Sequence, residues 1–149
     1  MKFQEHGTFT IEKRSGYLYI NAKGPFNGEL VQTYALELKN ALEVMAGDPW
    51  KQLVVVHGLA LMIPVAKDNL VKSLQYRKQT GLMRAAMVIG GVEAQSLVKA
   101  QFGQCYQLAD IEHAFFDHED TAIEWLNVVS ANHKPLPKIN INGNQDIDA

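Results

Sequence analysis

The stretch that most constrains the fold of this chain is LVVV at residues 53–56, where four apolar residues follow one another without a polar break. Three of the four are β-branched, which favours extended backbone over helix. A strand that is apolar on both sides must be covered on both sides, as is typical of parallel sheets flanked by helices. The run therefore predicts an α/β domain with a central strand at residues 53–56.

Four further segments predict strands. TFTIE (8–12) and LYIN (18–21) alternate apolar and polar residues, as half-buried strands do. The residues between them include Gly16, so we expect the two strands to form a β-hairpin. AAMVI (85–89) is a second continuous apolar run, and HAFF (113–116) is the last predicted strand.

Four segments have apolar residues at the three- and four-residue spacing of amphipathic helices. These helices are predicted at residues 28–46, 65–80, 93–107 and 119–131. Asn27 is a good N-cap for the first of them. A hairpin followed by alternating strands and helices predicts a mixed, mostly parallel sheet with helices packed on it and right-handed crossovers.

The length of 149 residues fits one domain, which can bury an apolar core without disulfides or a metal. We predict that residues 1–132 form this domain. Residues 133–149 contain two prolines and several asparagines without a helical period, which predicts an extended or disordered tail.

Composition excludes several classes of protein. The net charge of −2 gives no reason to expect a nucleic-acid partner. Cys105 is the single cysteine, so an internal disulfide is impossible and a reducing cytoplasm is the expected location. The first residues lack an apolar signal core, and no apolar run approaches the roughly 20 residues that span a bilayer.

An acidic cluster at residues 117–120 follows the last predicted strand and could ligate a metal, act in acid–base chemistry or begin a helix. We predict that Asp117 caps the last helix and that Glu119 and Asp120 favour the positive end of its dipole. Adjacent residues on a helix point in different directions, so we expect no metal site from His118 and its acidic neighbours.

His57 lies just beyond the carboxyl end of the central strand, where α/β sheets bind ligands. It is a candidate ligand-binding residue, and the alternative is a histidine that only bonds to nearby backbone. Gly90 and Gly91 are predicted to form a tight turn into the third helix. Their surroundings match neither a dinucleotide fingerprint nor a P-loop, so we expect no cofactor.

The connection LALMIPVA at residues 59–66 is unusually apolar. It could close the core, line a pocket, or contact a membrane or a partner. The second helix beside it is basic, and only Asp68 opposes the charges of Lys67, Lys72, Arg77, Lys78 and, past the end of the helix, Arg84. Such a set is either a solvated face or a surface for anionic lipid or an acidic amphiphile.

The order of elements, RAAMVIGG (84–91) and above all HAFFDHEDTAIEWL (113–126) resemble the SpoIIAA-like proteins over about residues 7–131. In that family an aromatic strand end, an acidic stretch and an Ala-x-x-Trp-Leu helix close the domain. The matching positions here are Phe116, residues 117–120, Ala122, Trp125 and Leu126. The resemblance implies a STAS-type fold, which is also similar to a small CRAL-TRIO lipid-binding fold.

Two functions are implied by this resemblance. One is binding of a lipid-like molecule or a membrane surface. The other is regulation of a protein partner through a phosphorylatable serine at the start of the helix after the central strand. Here that region reads MIPVAKDNL (62–70), without serine or threonine, and the first hydroxyl is that of Ser73. This departure favours ligand or membrane binding.

We therefore predict a non-catalytic cytoplasmic binding module for a small apolar or amphipathic ligand, with peripheral membrane contact as one version. The predicted ligand-binding residues are Leu61, Met62, Ile63, Leu70 and Leu74 for the apolar part, Lys67 or Arg77 for an acidic head group, and His57. The alternatives are a STAS-like regulatory domain that binds a protein partner and an enzyme that uses His57 or residues 117–120. An exposed apolar connection is also consistent with a homodimer.

Overall fold

The structure is a computed structural model that describes residues 7–44 and 48–128. Its elements are β1 (Thr8–Arg14), β2 (Tyr17–Lys23), α1 (Gly28–Val44), β3 (Trp50–Gly58), α2 (Pro64–Gln79), β4 (Leu82–Val92), α3 (Gln95–Ala109), β5 (His113–Phe116) and α4 (Glu119–Asn127). This order is the one that the sequence predicts. The predicted tail, and Met45 and Val129 at the ends of two predicted helices, lie outside the described residues.

The five strands form one sheet in the order β1-β2-β3-β4-β5. β1 and β2 pair antiparallel as the predicted hairpin, with Gly16 at φ +90° in its turn. The pairs β2–β3, β3–β4 and β4–β5 are parallel. The mixed, mostly parallel sheet is thus confirmed.

Two apolar cores cover the sheet, one on each face. The larger core packs α1, α2 and α3 against one face, and Val54 and Val56 point into it. The smaller core packs α4 against the other face, and Leu53 and Val55 point into it. Residues 53–56 are all buried, as a strand covered on both sides requires.

The first helix begins as predicted. The backbone N–H of Leu30 donates to Asn27 Oδ1 at 2.8 Å, which is the N-cap bond expected of an asparagine before a helix. The second helix begins with Pro64, whose missing N–H costs nothing in the first turn. Gly81 follows it at φ +114°. In the described residues no helix is both long and apolar enough to cross a membrane.

The prediction for Gly90 and Gly91 is wrong, because both glycines belong to β4, which runs on to Val92. The turn into α3 comes later, with Ala94 in the left-handed region at φ 54°. Glycine is needed at position 90 because the backbone of Asp117 packs against its Cα, where a Cβ would overlap the Asp117 carbonyl oxygen. Leu97 lies within the predicted third helix as an apolar residue that could face the core, but it is 55% exposed.

The capping role predicted for Asp117 is also wrong. His118 is the N-cap of α4 and makes no side-chain capping bond, while the Asp117 side chain is exposed. Glu119 and Asp120 do lie in the first turn, where a negative charge favours the helix dipole. Glu119 also accepts a hydrogen bond from the Tyr19 hydroxyl at 3.3 Å, which links α4 to the sheet.

The two neighbouring glycines allow a matched test of this packing. Gly90→Ala should lower the free energy of unfolding by about 1–3 kcal/mol, because the added methyl group meets backbone that must shift. Gly91→Ala is the control, since its Cβ would only touch His57 Nδ1 at 3.4 Å. Urea denaturation followed by circular dichroism measures both. Equal loss of stability in the two variants would contradict the packing described.

Candidate functional site

A cavity of about 50 Å³ lies between the sheet and the helices α1, α2 and α3. The strands contribute mostly aliphatic side chains to its wall, namely Phe9, Ile20, Ala22, Val54, Val56 and Met87. The helices and connections contribute Phe26, Leu30, Val31, Tyr34, Met62, Leu70, Arg77, Phe102 and Tyr106. The wall is therefore apolar and aromatic, with one charged side chain.

The apolar connection after β3 closes one part of this wall. Met62 forms an isolated β-bridge with Phe26, and its backbone N–H and carbonyl both bond to the Gln101 side chain, at 2.9 and 3.1 Å. Ala60 and Met62 are buried, while Leu59 and Ile63 are 47% and 53% exposed. The connection thus alternates between the core and the surface.

The size of the cavity limits what it can hold. A volume of about 50 Å³ has room for roughly three to five water-sized groups. Pockets for drug-sized ligands are several times larger, at roughly 300–1,000 Å³. The cavity thus suits a short acyl chain or a group of similar size, and a longer ligand has to extend out of it or widen it.

Arg77 is the charged residue of the wall, and its side chain is only 1% exposed. Nη1 donates to Gln52 Oε1 at 2.8 Å, while Nε and Nη2 donate to Ser73 Oγ at 3.2 and 3.0 Å. The guanidinium carbon lies 4.9 Å from the centre of the Tyr34 ring. Gln52 Nε2 donates in turn to the Tyr106 hydroxyl at 3.4 Å.

The groups around this guanidinium are neutral. Across residues 7–44 and 48–128, no carboxylate lies within 4.0 Å of Arg77. Desolvation raises the pKa of Tyr34 and of Tyr106, an effect that the charge of Arg77 partly opposes. Both phenols therefore stay protonated at neutral pH and do not balance the positive charge.

Of the residues predicted to bind a ligand, the structure brings Met62, Leu70 and Arg77 together in the cavity wall. Leu74 is fully buried in the core outside the wall, Leu61 is partly buried and Ile63 is exposed. Lys67 Nζ donates to Gln104 Oε1 at 3.0 Å, away from the cavity. A ligand-binding role stays a prediction for each of them.

His57 is partly buried at the end of β3, next to Gly91. The strands follow one another in chain order, so this sheet edge has no reversal of the kind that opens a ligand crevice in doubly wound folds. Among the residues that the structure describes, no cluster of three metal-ligating side chains occurs.

The basic set predicted around the second helix is not a fully solvated surface, because Arg77 on α2 and Arg84 on β4 are both buried. Arg77 and Arg84 are 1% and 3% exposed. Arg84 pairs with Glu112 at 3.2 Å and donates to the carbonyls of Trp125 and Val128. Lys78 pairs with Asp110 at 2.7 Å. The surface is therefore less basic than the sequence suggests.

The sequence pattern did not identify Gln52, Tyr34 and Tyr106 as parts of the candidate site. Gln52 is completely buried, and the available signal was a polar residue directly before the apolar run of β3. Tyr34 lies within the predicted first helix, but the spacing of apolar residues there does not indicate that it neighbours a buried charge. Their contacts join residues that are far apart in the chain, which local spacing does not reveal.

No protein-family model matches the chain, and no curated protein matches it. Among solved structures, it is similar to an uncharacterized protein from the DUF3478 family with a SpoIIAA-like fold, from Shewanella loihica PV-4. The two share 19% sequence identity at a TM-score of 0.60, over 85% of this chain and 98% of the other. The chain is therefore a single α/β domain with a SpoIIAA-like fold, as the resemblance of its sequence implied.

Proposed function

We propose that this domain is a non-catalytic binding module for a small apolar or amphipathic ligand, which it holds between the sheet and α1–α3. The cavity is the observation that supports the proposal. Its wall is mostly apolar, and several helices contribute a few polar groups to it. Sites for small molecules commonly have this composition.

Two energy contributions determine how tightly apolar contacts alone could bind a ligand in the cavity. Burial of roughly four methylene groups contributes about 3 kcal/mol, and filling about 50 Å³ contributes about 1 kcal/mol more. A total of about 4 kcal/mol corresponds to a Kd of about 1 mM before the cost of ordering the ligand is subtracted, so apolar contacts alone bind more weakly than this. Tighter binding needs a polar anchor or apolar contacts at the mouth of the cavity.

The position of Ser73 argues against a phosphorylation switch in α2. Its side chain is buried, and Oγ accepts two hydrogen bonds from the guanidinium of Arg77. A kinase would have to open the core to reach this hydroxyl. Regulation of a protein partner, the alternative implied by the resemblance, would then have to work without this serine.

Contact with a membrane surface is the second candidate function. The exposed side chains of Leu59, Ile63 and Val65 lie close together in the chain, at 47%, 53% and 55% exposure. Lys72, on α2, is also exposed and supplies a positive charge. Apolar side chains beside a positive charge suit an anionic lipid surface.

A larger side chain in the wall of the cavity tests the first proposal. Ala22→Leu should weaken binding of hexan-1-ol at least tenfold, because the added atoms occupy the space that the alcohol would fill. Binding is measured from methyl chemical shifts in a two-dimensional NMR titration.

Ala100→Leu is the matched control, because Ala100 is exposed on α3 and does not line the cavity. This variant should bind hexan-1-ol as the wild type does. Thermal unfolding of both variants shows whether the larger side chain disturbs the fold. If the wild type gives no saturable shifts, or Ala22→Leu binds equally well, the proposed cavity function is wrong.

Exposed leucines elsewhere allow a matched test of the membrane candidate. Leu59→Ser with Ile63→Ser should abolish cosedimentation with vesicles that contain phosphatidylglycerol, because it removes the apolar side chains that would enter the interface. Leu36→Ser with Leu108→Ser removes side chains that are 61% and 62% exposed on other elements, and should leave cosedimentation unchanged.

Vesicles of phosphatidylcholine alone report the contribution of charge, as does Lys67→Glu with Lys72→Glu. Sedimentation equilibrium of the same proteins shows whether the apolar residues instead join two copies of the chain. Wild-type protein that stays in the supernatant with both lipids would rule out the membrane contact.

A further inference from the structure

The cavity exposes a bound molecule to one positive charge. Arg77 lies in the last turn of α2, and its side chain reaches the wall of the cavity beside Tyr34. All the other residues of the wall are uncharged. A group placed next to the guanidinium is therefore held in a poorly solvated position, where an opposite charge gains most.

Arg84 is a second buried arginine of this chain, and its partners indicate a structural role. It is 3% exposed, pairs with Glu112 and donates to two backbone carbonyls at the end of α4. Arg77 is at least as buried, yet its described partners are the neutral oxygens of Gln52 and Ser73. The chain thus supplies a carboxylate to one buried arginine and, within its described residues, none to the other.

The guanidinium also has hydrogen-bonding capacity beyond these partners. It carries five N–H groups, and the bonds to Gln52 and Ser73 use three of them. Of the remaining two, one is on each terminal nitrogen. Among the described residues, the Tyr34 hydroxyl is a further neutral partner of the guanidinium, and no carboxylate binds it, although carboxylate oxygens bind such N–H groups most strongly.

From these observations we infer that Arg77 determines the specificity of the cavity by binding the carboxylate of a small monocarboxylic acid, with the acyl chain along the apolar wall. This inference rests on the binding function proposed above. It names the class of ligand and its orientation, with the acidic head at the α2 side of the cavity.

Charge and size together select this class. A single guanidinium balances a single negative charge, whereas a phosphate monoester carries close to two at neutral pH. A cation would be repelled, and a neutral alcohol would leave the buried charge uncompensated. The volume of about 50 Å³ restricts the enclosed part to a few carbon atoms.

Hexanoate and hexan-1-ol test the inference, because they share the chain length and differ in the head group. Isothermal titration calorimetry or NMR titration at neutral pH should show hexanoate binding to the wild type at least tenfold more tightly. Arg77→Met should remove this preference and retain weak binding of hexan-1-ol. Hexylamine should bind less tightly than either.

Lys99→Met is the matched control, since it removes one positive charge from the exposed surface of α3. It should keep the preference for hexanoate. If Arg77→Met does not fold, Arg77→Lys retains the charge without the planar group and should bind hexanoate more weakly than the wild type, but still better than hexan-1-ol.

The outcomes separate the two proposals. Equal affinity of the wild type for hexanoate and hexan-1-ol would overturn the role of Arg77 and leave the cavity function intact. Loss of the preference in Lys99→Met, with Arg77→Met unaffected, would overturn it as well. If the wild type bound neither compound, the binding function itself would be wrong.

Discussion

Burial of β3 on both faces is the constraint on which the rest of the structure depends. Leu53 and Val55 require cover on one side of the sheet, and Val54 and Val56 require it on the other. Because the parallel strands follow in chain order, right-handed crossovers place α1, α2 and α3 all on one face. α4 covers the opposite face. The two cores are therefore unequal, and the cavity lies in the larger one.

The same strand brings a polar group into that larger core. A buried amide without partners costs about 1–3 kcal/mol, and Gln52 avoids this cost through Arg77 and Tyr106. The bonds join β3 to α2 and α3, so the guanidinium is held by rigid elements. Apolar residues of similar volume are often as stabilising as such a buried charge. Stability alone therefore explains the network poorly, and the proposed recognition of an anion would give the buried charge a role.

The sequence predicted the order of elements and the sheet because local spacing of apolar residues records which face of each element is buried. Two of the errors involve contacts between distant parts of the chain. Gly90 was predicted to be a turn residue because the residues next to it in the sequence do not indicate that the Asp117 backbone packs against it. The burial of Arg77 was not predicted, because its partner Gln52 lies 25 residues earlier in the chain.

The order of the strands also explains why only part of the predicted site lies at the cavity. Where strand order reverses, a crevice opens at the carboxyl ends of the strands, and ligands bind there. In this sheet the order does not reverse, so space for a ligand lies between the face of the sheet and the helices. Side chains on strand faces and helix stripes then form the wall. His57 at the strand end is left outside, and Met62 is included because its connection folds back over the core.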